Sequence, residues 1–267
     1  MYRQLICIVV SFVICFSAKG QNIETVLQNE LDDVIRVSGT NLRVSLKKGD
    51  VKTAIALHKN KKYFILYNPD FFKSIQSRIE NSGLAFRIIL AHEYAHHLHG
   101  HSYKYKQLSP GDELSADRHA GFLMAQNGEK LEEVIAVVSK LDEMLENKEH
   151  PMLDARIKAL TIGWNHATNQ EIQKFTLDEL NITLRCQFND DSHNYYIDEG
   201  FQVLWLDLYN NPIVIGRVEN SQKKGFLYDY WYRDSKFVID YKGNLLNEVV
   251  NGSMITIGSV YKINEDE

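Results

Sequence analysis

The sequence predicts an α+β protein in which a helical domain with a small antiparallel sheet is followed by a separate all-β domain. Six segments before residue 167 combine apolar residues at helical spacing with residues that begin or end helices. Three short segments, 42–46, 53–57 and 63–67, carry β-branched and aromatic residues between turns, which indicates the small antiparallel sheet. Beyond residue 167 similar segments alternate with turns, so residues 168–267 are predicted to form six to eight strands.

The helical domain is predicted to occupy residues 21–167. Its helices are predicted to span residues 23–38, 70–80, 84–99, 110–126, 129–147 and 151–164. Gly39 ends the first of these helices, because glycine readily adopts the backbone conformation that follows a helix. The fourth begins with a capping pattern, in which Ser109 is the N-cap, Pro110 takes the first helical position and Asp112 lies three residues after the cap.

The first 20 residues have the pattern of a cleaved secretory signal. A positive start that ends at Arg3 is followed by an apolar run of about 12 residues, from Leu5 to Phe16, and then by mostly small residues up to Gly20. The run is shorter than the roughly 20 apolar residues that a helix needs to cross a bilayer. We therefore expect cleavage near Gly20, a secreted or periplasmic protein, and no integral membrane segment in the mature chain.

Composition excludes two classes of partner. The chain has 30 basic and 35 acidic residues, and removal of residues 1–20 leaves 28 basic residues, so the net charge changes from −5 to −7. A protein of this charge has no electrostatic reason to bind nucleic acid or anionic lipid. Cys7 and Cys15 are lost with the signal, and the remaining Cys186 cannot form an internal disulfide.

The residues that carry chemistry begin with the pentapeptide HEYAH. His92 and His96 are four positions apart, so on a helix they lie on one face and can direct two imidazole nitrogens at one metal ion. Glu93 lies about 100° round the helix from His92, beside such a metal, where a carboxylate can act as the base for a water molecule. The spacing predicts a zinc site with Glu93 as the catalytic residue.

The third ligand is predicted in the next helix. Glu113 stands 17 residues after His96, in the first turn of the capped helix. A catalytic zinc ion has three protein ligands and one open position, and Glu113 fits the third place. Asp117 follows one helical turn later on the same face, where it can accept the second N–H of a ligand histidine and fix its tautomer.

Three stretches of sequence resemble one peptidase family. HEYAHHLHGH (92–101) followed by ELSAD (113–117) is similar to the HExxH and ExxAD pair of the gluzincin peptidases, in particular the HtpX and CAAX-protease type. HPMLDARIKAL (150–160) resembles the later H-P-x(4)-R-I segment of that type. The resemblance covers about residues 22–165, and it does not extend to the β-rich remainder.

The resemblance implies a zincin-like metallopeptidase domain and a zinc-dependent endopeptidase that acts on protein or peptide substrates. Carried over by position, it implies His92, His96 and Glu113 as zinc ligands and Glu93 as the general base. The membrane members of this type have transmembrane helices that this chain lacks, so a soluble, minimal version with an added β domain is expected.

Other residues leave alternatives open. His99 shares the face of the two predicted ligands and could replace Glu113 as the third one. The metzincin pattern fails, because it needs a glycine where this chain has His99 and a histidine where it has Ser102. Three further histidines are predicted to be solvated or capping groups, namely His97, His101 and His119.

Two residues are candidates for stabilising the oxyanion that forms during peptide hydrolysis. His150 and Arg156 are candidates only through the family-like segment, and the alternative is that His150 starts a helix and Arg156 pairs with an acid. The rival for the whole protein is a non-catalytic, zinc-stabilised binding protein whose β domain recognises a partner. The aromatic residues of that domain, which include Trp205 and Tyr230, suit either a partner surface or a barrel or sandwich core.

Overall fold

A helical part and a closed β-barrel make up the chain in this computed structural model. The structure describes residues 22–103, 108–145, 151–168, 175–189, 191, 193–207, 210–232, 235–248 and 253–263. The predicted secretory signal and His150 lie outside the described residues.

Each of the six predicted helices is present; the bounds of the first and fourth match the prediction, and those of the others differ by at most three residues. They are α1 (Ile23–Ser38), α2 (Pro69–Arg78), α3 (Ser82–Leu98), α4 (Pro110–Gln126), α5 (Leu131–Met144) and α6 (Leu153–Ala167). The capping pattern predicted for α4 is confirmed. The Ser109 hydroxyl accepts from the Asp112 N–H and the Asp112 carboxylate accepts from the Ser109 N–H, so the start of this helix is held from both sides.

The three predicted strands form one sheet, but its topology differs from the prediction. Strands β1 (Val44–Lys48), β2 (Ala54–Lys59) and β3 (Lys62–Tyr67) are ordered β1-β3-β2. β2 and β3 form an antiparallel hairpin through Asn60 and Lys61, whereas β1 pairs with β3 in parallel, so the expectation of a purely antiparallel sheet was wrong. β1 and β2 do run in opposite directions, but β3 inserts between them and leaves β2 at one edge.

α3 is the central helix of the first core. Its apolar residues surround the helix instead of forming one stripe, which is typical of a helix buried on all sides. α1, α2, α4, α5 and the sheet cover it, and they enclose one cluster of buried apolar side chains. Polar residues at the C-terminal end of α3 are therefore also withdrawn from water, and they include His92, Glu93 and His96.

α4 and α6 cross at two glycines that allow their backbones to touch. A Cβ atom on Gly163 would lie 1.7 Å from the carbonyl oxygen of Arg118, and one on Gly121 would lie 2.1 Å from that of Leu160. No other residue fits at either position without moving one helix. This approach brings the N-terminal half of α6 against the N-terminal half of α4, where the predicted metal ligand lies.

The β-rich part is a closed eight-stranded barrel with meander topology, and its strand number lies within the predicted range. The strands are β4 (Ile182–Phe188), β5 (Tyr195–Asp198), β6 (Gln202–Leu206), β7 (Pro212–Asn220), β8 (Phe226–Tyr232), β9 (Ser235–Asp240), β10 (Asn244–Glu248) and β11 (Met254–Lys262). Neighbours along the chain pair antiparallel, and β11 pairs with β4 to close the barrel. Trp205 and Tyr230 are buried in the interior, so these two aromatics are core residues and not a partner surface.

The barrel packs against α4 and α6. Leu114 of α4 and Ala155 and Ala159 of α6 belong to the same buried apolar cluster as the barrel interior. A hydrogen bond of 3.1 Å from the Gly111 N–H to the Tyr195 hydroxyl joins the first turn of α4 to β5. The barrel therefore contacts the helix that carries the predicted third ligand.

Two smaller predictions also bear on the fold. None of the described helices has both the length and the apolar content that crossing a bilayer requires. Cys186 is a free cysteine in the barrel core, and burial raises the pKa of its thiol to about 12, so the thiol stays protonated.

Candidate metal centre

Three predicted ligands converge between α3 and α4. The Nε2 atoms of His92 and His96 lie 3.0 Å apart, because the two residues are one turn apart on α3. The carboxylate of Glu113, in the first turn of α4, lies 3.4 Å from His92 Nε2 and 3.6 Å from His96 Nε2. All three side chains are buried, and together they could hold a metal ion.

The spacing of these donor atoms fits a tetrahedral ion. Ligand atoms about 2.0–2.1 Å from a tetrahedral zinc ion are separated by about 3.3 Å. The two imidazole nitrogens lie 3.0 Å apart, Oε2 of Glu113 lies 3.4 Å from Nε2 of His92, and Oε1 lies 3.6 Å from Nε2 of His96, so each of these separations is close to that value. Two imidazole nitrogens and one carboxylate oxygen would supply three ligands of such an ion, and a water molecule or a substrate would supply the fourth.

Asp117 is placed where the sequence predicted an acceptor for a ligand histidine. Its Oδ1 atom lies 2.9 Å from His92 Nδ1, and Arg156 holds the same carboxylate through Nε at 2.9 Å and Nη2 at 3.1 Å. The carboxylate accepts hydrogen bonds only, so His92 donates through Nδ1. The Nε2 atom of His92 is thereby directed at His96 and Glu113. Arg156 pairs with an acid, which was one of the two roles predicted for it.

The electrostatics of the cluster favour a positive charge between the ligands. Burial lowers the pKa of His92, but the charges and hydrogen bonds of Asp117 and Glu113 outweigh burial and raise this pKa to about 10. Burial and the neighbouring His92 lower the pKa of His96 well below its ordinary value. The pKa of Asp117 is also lowered, since the charges of Arg156 and His92 outweigh the effect of burial. One cation at this point would satisfy both imidazole nitrogens and the Glu113 carboxylate.

Glu93 lies beside the cluster and is held by the sheet. Its Oε2 atom accepts a hydrogen bond of 2.6 Å from the backbone N–H of Ala56 on the edge strand β2. Ala56 is paired with Ile65 across the hairpin, and its N–H points away from β3 towards α3. The glutamate is buried next to His92 but is not part of the three-residue ligand group found among the described residues.

A pocket opens beside His92 and Glu93. Apolar side chains make up most of its wall. The residues that line it are Thr53, Phe71, Ile88, Ile89, His92, Glu93, Val138, Leu141, Leu145 and Arg156. The sequence had offered no signal for this pocket, because its wall combines residues from α2, α3 and α5 that are distant in the chain.

The other histidines are placed differently from the prediction. His97 and His101 are 4% and 6% exposed, so the expectation that they are solvated or capping groups was wrong. His97 is buried because its ring bonds the carbonyl of Phe64 at 3.0 Å and the hydroxyl of Ser102 at 2.8 Å.

His99, the alternative third ligand, stacks on the ring of His101 and lies outside the ligand group found among the described residues. His119 is half-buried and packs edge-on against His99.

Three groups at the site escaped the sequence analysis. The Ala56 amide has no side-chain signal, and only the strand order brings it to Glu93. His101 follows the end of α3 and reaches back to His96, which helical spacing cannot predict. Asp112 was recognised as part of the cap, but the second oxygen of its carboxylate faces His101.

No family profile, curated protein or solved structure matches this chain. The assignment of a function therefore rests on the geometry of the site and on the motif residues themselves.

Proposed function

We propose that the protein is a zinc-dependent endopeptidase of the gluzincin type, which hydrolyses peptide bonds in protein or peptide substrates. The convergence of His92, His96 and Glu113 beside a buried, oriented Glu93 carries this proposal. The proposal includes removal of residues 1–20 and action outside the cytoplasm, in a periplasm or after secretion.

The donor set supports zinc as the metal. Two imidazole nitrogens and one carboxylate are the ligands of many catalytic zinc sites, whereas structural zinc sites are closed by four protein ligands that are often thiolates. The described part of the chain has one cysteine, Cys186, and it lies in the barrel core. Calcium and magnesium prefer oxygen ligands, so the two histidines disfavour them.

The chain's own residues supply the proton transfers and the orientation. When bound, zinc provides Lewis-acid chemistry, which acidifies a water molecule to a pKa of about 7 and polarises a carbonyl group. Glu93 accepts the proton of the attacking water and delivers it to the leaving amine. The Ala56 N–H, 2.6 Å from Glu93 Oε2, fixes the direction of the carboxylate, and Asp117 fixes the ring of His92.

The sheet edge and the pocket define where a substrate would lie. β2 is an edge strand, and Glu93 bonds its Ala56, so an extended peptide that paired with the remaining outward main-chain groups of β2 would pass close to Glu93. The pocket next to His92 has an apolar wall made by residues such as Ile89 and Leu141. A substrate with a large apolar side chain next to the bond that is cut would fill this pocket and bury that side chain.

The test is a comparison of cleavage and metal content. Glu93→Gln should retain zinc and lose cleavage of an unfolded protein such as casein, because an amide cannot accept the water's proton. A chelator should abolish cleavage by the unmodified chain, and added zinc should restore it. Glu199→Gln, the same substitution at an exposed turn of the barrel, is the matched control and should cleave at the wild-type rate.

The same experiment decides against the rival function. If the metal only holds helices together for a partner-binding barrel, zinc will bind but casein will stay intact with the unmodified chain. Cleavage by Glu93→Gln at the wild-type rate would contradict the base assignment. Absence of bound zinc in the unmodified chain would contradict the whole proposal.

A further inference from the structure

A buried chain of hydrogen-bonding groups lies behind His96. The Nδ1 atom of His96 is 2.9 Å from Nδ1 of His101, which lies in the 3-10 helix His101–Tyr103 that follows α3. The Nε2 atom of His101 is in turn 3.2 Å from Oδ1 of Asp112 at the start of α4. All three side chains are buried, and Asp112 is 1% exposed. The chain His96–His101–Asp112 therefore ends on a carboxylate that is shielded from water.

The direction of the hydrogen bonds in this chain follows from its carboxylate end. A carboxylate cannot donate a proton, so the nitrogen of His101 that faces it at 3.2 Å, Nε2, is the one that carries a hydrogen. A neutral imidazole has one donor and one acceptor, so in the neutral form of His101 its Nδ1 is the acceptor. His96 must then donate through its own Nδ1, and its Nε2 keeps a lone pair directed at His92 and Glu113.

We propose that His101 and Asp112 are positioning residues that fix the tautomer and ring orientation of His96 and thereby set the affinity of the cluster for a divalent metal ion. This inference rests on the metal-binding part of the proposed function and is independent of peptide cleavage. The second ligand histidine, His92, has a separate anchor in the Asp117–Arg156 ion pair. Each imidazole of the cluster is thus oriented by its own buried carboxylate, directly for His92 and through a second imidazole for His96.

Asp112 also links this chain to the third ligand. Its Oδ2 atom accepts the N–H of Ser109 in the capping box at 3.0 Å, while Oδ1 faces His101. The next residue in the helix is Glu113, so the carboxylate that orients His96 also belongs to the turn that places Glu113. One side chain therefore couples the C-terminal end of α3 to the N-terminal end of α4 at the metal cluster.

Two polar substitutions of His101 separate its two contacts. The amide of asparagine lies close to the position of Nδ1 in histidine, so His101→Asn keeps an acceptor for His96. The amide of glutamine lies close to the position of Nε2, so His101→Gln keeps a donor for Asp112 and loses the acceptor for His96. Both replacements are polar and uncharged, and both leave the last turn of α3 intact.

The affinity for zinc alone is measured by competition with a chromophoric chelator, in a Glu93→Gln background so that self-cleavage does not interfere. Loss of an outer partner of a ligand histidine weakens metal binding by about 10–100-fold, and this is the loss expected for His101→Gln. His101→Asn should bind zinc much more tightly than His101→Gln. The visible spectrum of bound Co²⁺ should change in His101→Gln and stay close to that of the parent in His101→Asn.

A control separates positioning from helix capping. Ser109→Ala removes the hydroxyl that caps α4 but leaves the Asp112 carboxylate opposite His101, so it should lower the melting temperature and leave the zinc affinity unchanged. Asp112→Ala should lower both. Equal zinc affinities for His101→Asn and His101→Gln, or a loss of affinity in Ser109→Ala as large as in Asp112→Ala, would overturn the inference. Casein cleavage is measured separately. The zinc affinities therefore test this inference even if the protein does not cleave peptides.

Discussion

At the residue scale, the Arg156–Asp117 pair shows how a buried charge is held next to the cluster. Arg156 is 9% exposed and makes two hydrogen bonds to a carboxylate that is 2% exposed. Removal of one partner from a buried pair leaves the other charge without compensation, and this costs more than the intact pair contributes to stability. The pair thus stabilises the fold and, through Asp117, the direction of His92, one of the three candidate metal ligands.

Arg156→Met should lower the free energy of unfolding by about 3–5 kcal/mol, because Asp117 would remain buried and charged beside it. Urea unfolding of the two proteins measures the difference. Arg36→Met is the matched control, since Arg36 pairs with Asp33 at the surface of α1. Exposed pairs contribute roughly 0.2–1 kcal/mol, and equal losses at both sites would contradict the role of the buried pair.

The pocket gives a second prediction for a single residue. Ile89 lies on α3 one turn before His92 and Glu93, is partly exposed and lines the pocket. Ile89→Trp should fill the pocket and reduce cleavage beside large apolar residues by about tenfold or more relative to cleavage beside small ones. Mass-spectrometric mapping of cleaved peptides gives this ratio.

The matched control for the pocket is a tryptophan placed elsewhere on the surface. Val214→Trp changes an exposed position of the barrel and should leave the cleavage pattern unaltered. If Ile89→Trp and the unmodified chain prefer large apolar side chains equally, this pocket does not bind the substrate side chain.

At the element scale, the contact between α4 and α6 depends on two missing side chains. Gly121 and Gly163 allow the backbones to touch, and the rest of the interface follows from this distance. Arg156 and Asp117 can form hydrogen bonds across the two helices because the axes come so close. The glycines therefore set the distance between the two helices that carry Asp117 and Arg156.

Gly163→Ala should force the helices apart, since the new Cβ would lie 1.7 Å from a carbonyl oxygen of α4. We expect a loss of about 3 kcal/mol or more and a drop in melting temperature of about 6–12 °C, which calorimetry would measure. Gly83→Ala is the control in the first turn of α3, where a Cβ meets only the flexible end of Glu30 at 3.3 Å. An unchanged melting temperature in Gly163→Ala would show that the interface can shift freely.

At the scale of the whole molecule, the barrel holds the start of α4. Tyr195 of β5 accepts from the Gly111 N–H and donates to Asp191, and His193 also bonds Asp191 at 2.8 Å. A Cβ on Gly111 would meet the ring of His193 at 2.5 Å, so this turn of α4 and the barrel are in close contact. Glu113 is two residues further along the same turn. The contacts of the barrel therefore help to hold Glu113 in place.

The contacts of Asp191 should make the stability of the folded protein depend on pH. Burial raises the pKa of Asp191, but hydrogen bonds from His193 and Tyr195 outweigh it and lower the pKa to about 2. Since the ordinary value is about 3.9, the ionised carboxylate stabilises the folded state above about pH 4, and this contribution is lost as the pH falls to about 2. Asp191→Asn should be less stable than the unmodified chain at pH 6, and the difference should shrink between pH 4 and pH 2.

Denaturant unfolding over this pH range measures the difference, and Asp178→Asn at an exposed position provides the control. The control should differ little from the unmodified chain at any pH. A difference for Asp191→Asn that stays constant down to pH 2 would show that the hydrogen bonds to this carboxylate do not couple its ionisation to folding.

Much of the local structure was predictable because its causes lie within a few residues. The capping box of Ser109 and Asp112, and the one-turn spacing of His92 and His96, depend on neighbours within four positions. The sheet was predicted in its strands but not in its order. Turn residues reveal where a strand ends, whereas the insertion of β3 between β1 and β2 depends on how the strands pack on α3.

The sequence by itself determined the helices, the presence of a β-rich second half, and the motif residues that could meet at a metal. The tertiary structure alone decided that Glu113 lies within 3.6 Å of both imidazoles, that His101 and Asp112 lie behind His96, and that a pocket opens beside Glu93. The reason is physical. Helix formation and capping are short-range interactions, but these contacts join residues whose distance depends on helix crossing, strand order and barrel packing throughout the molecule.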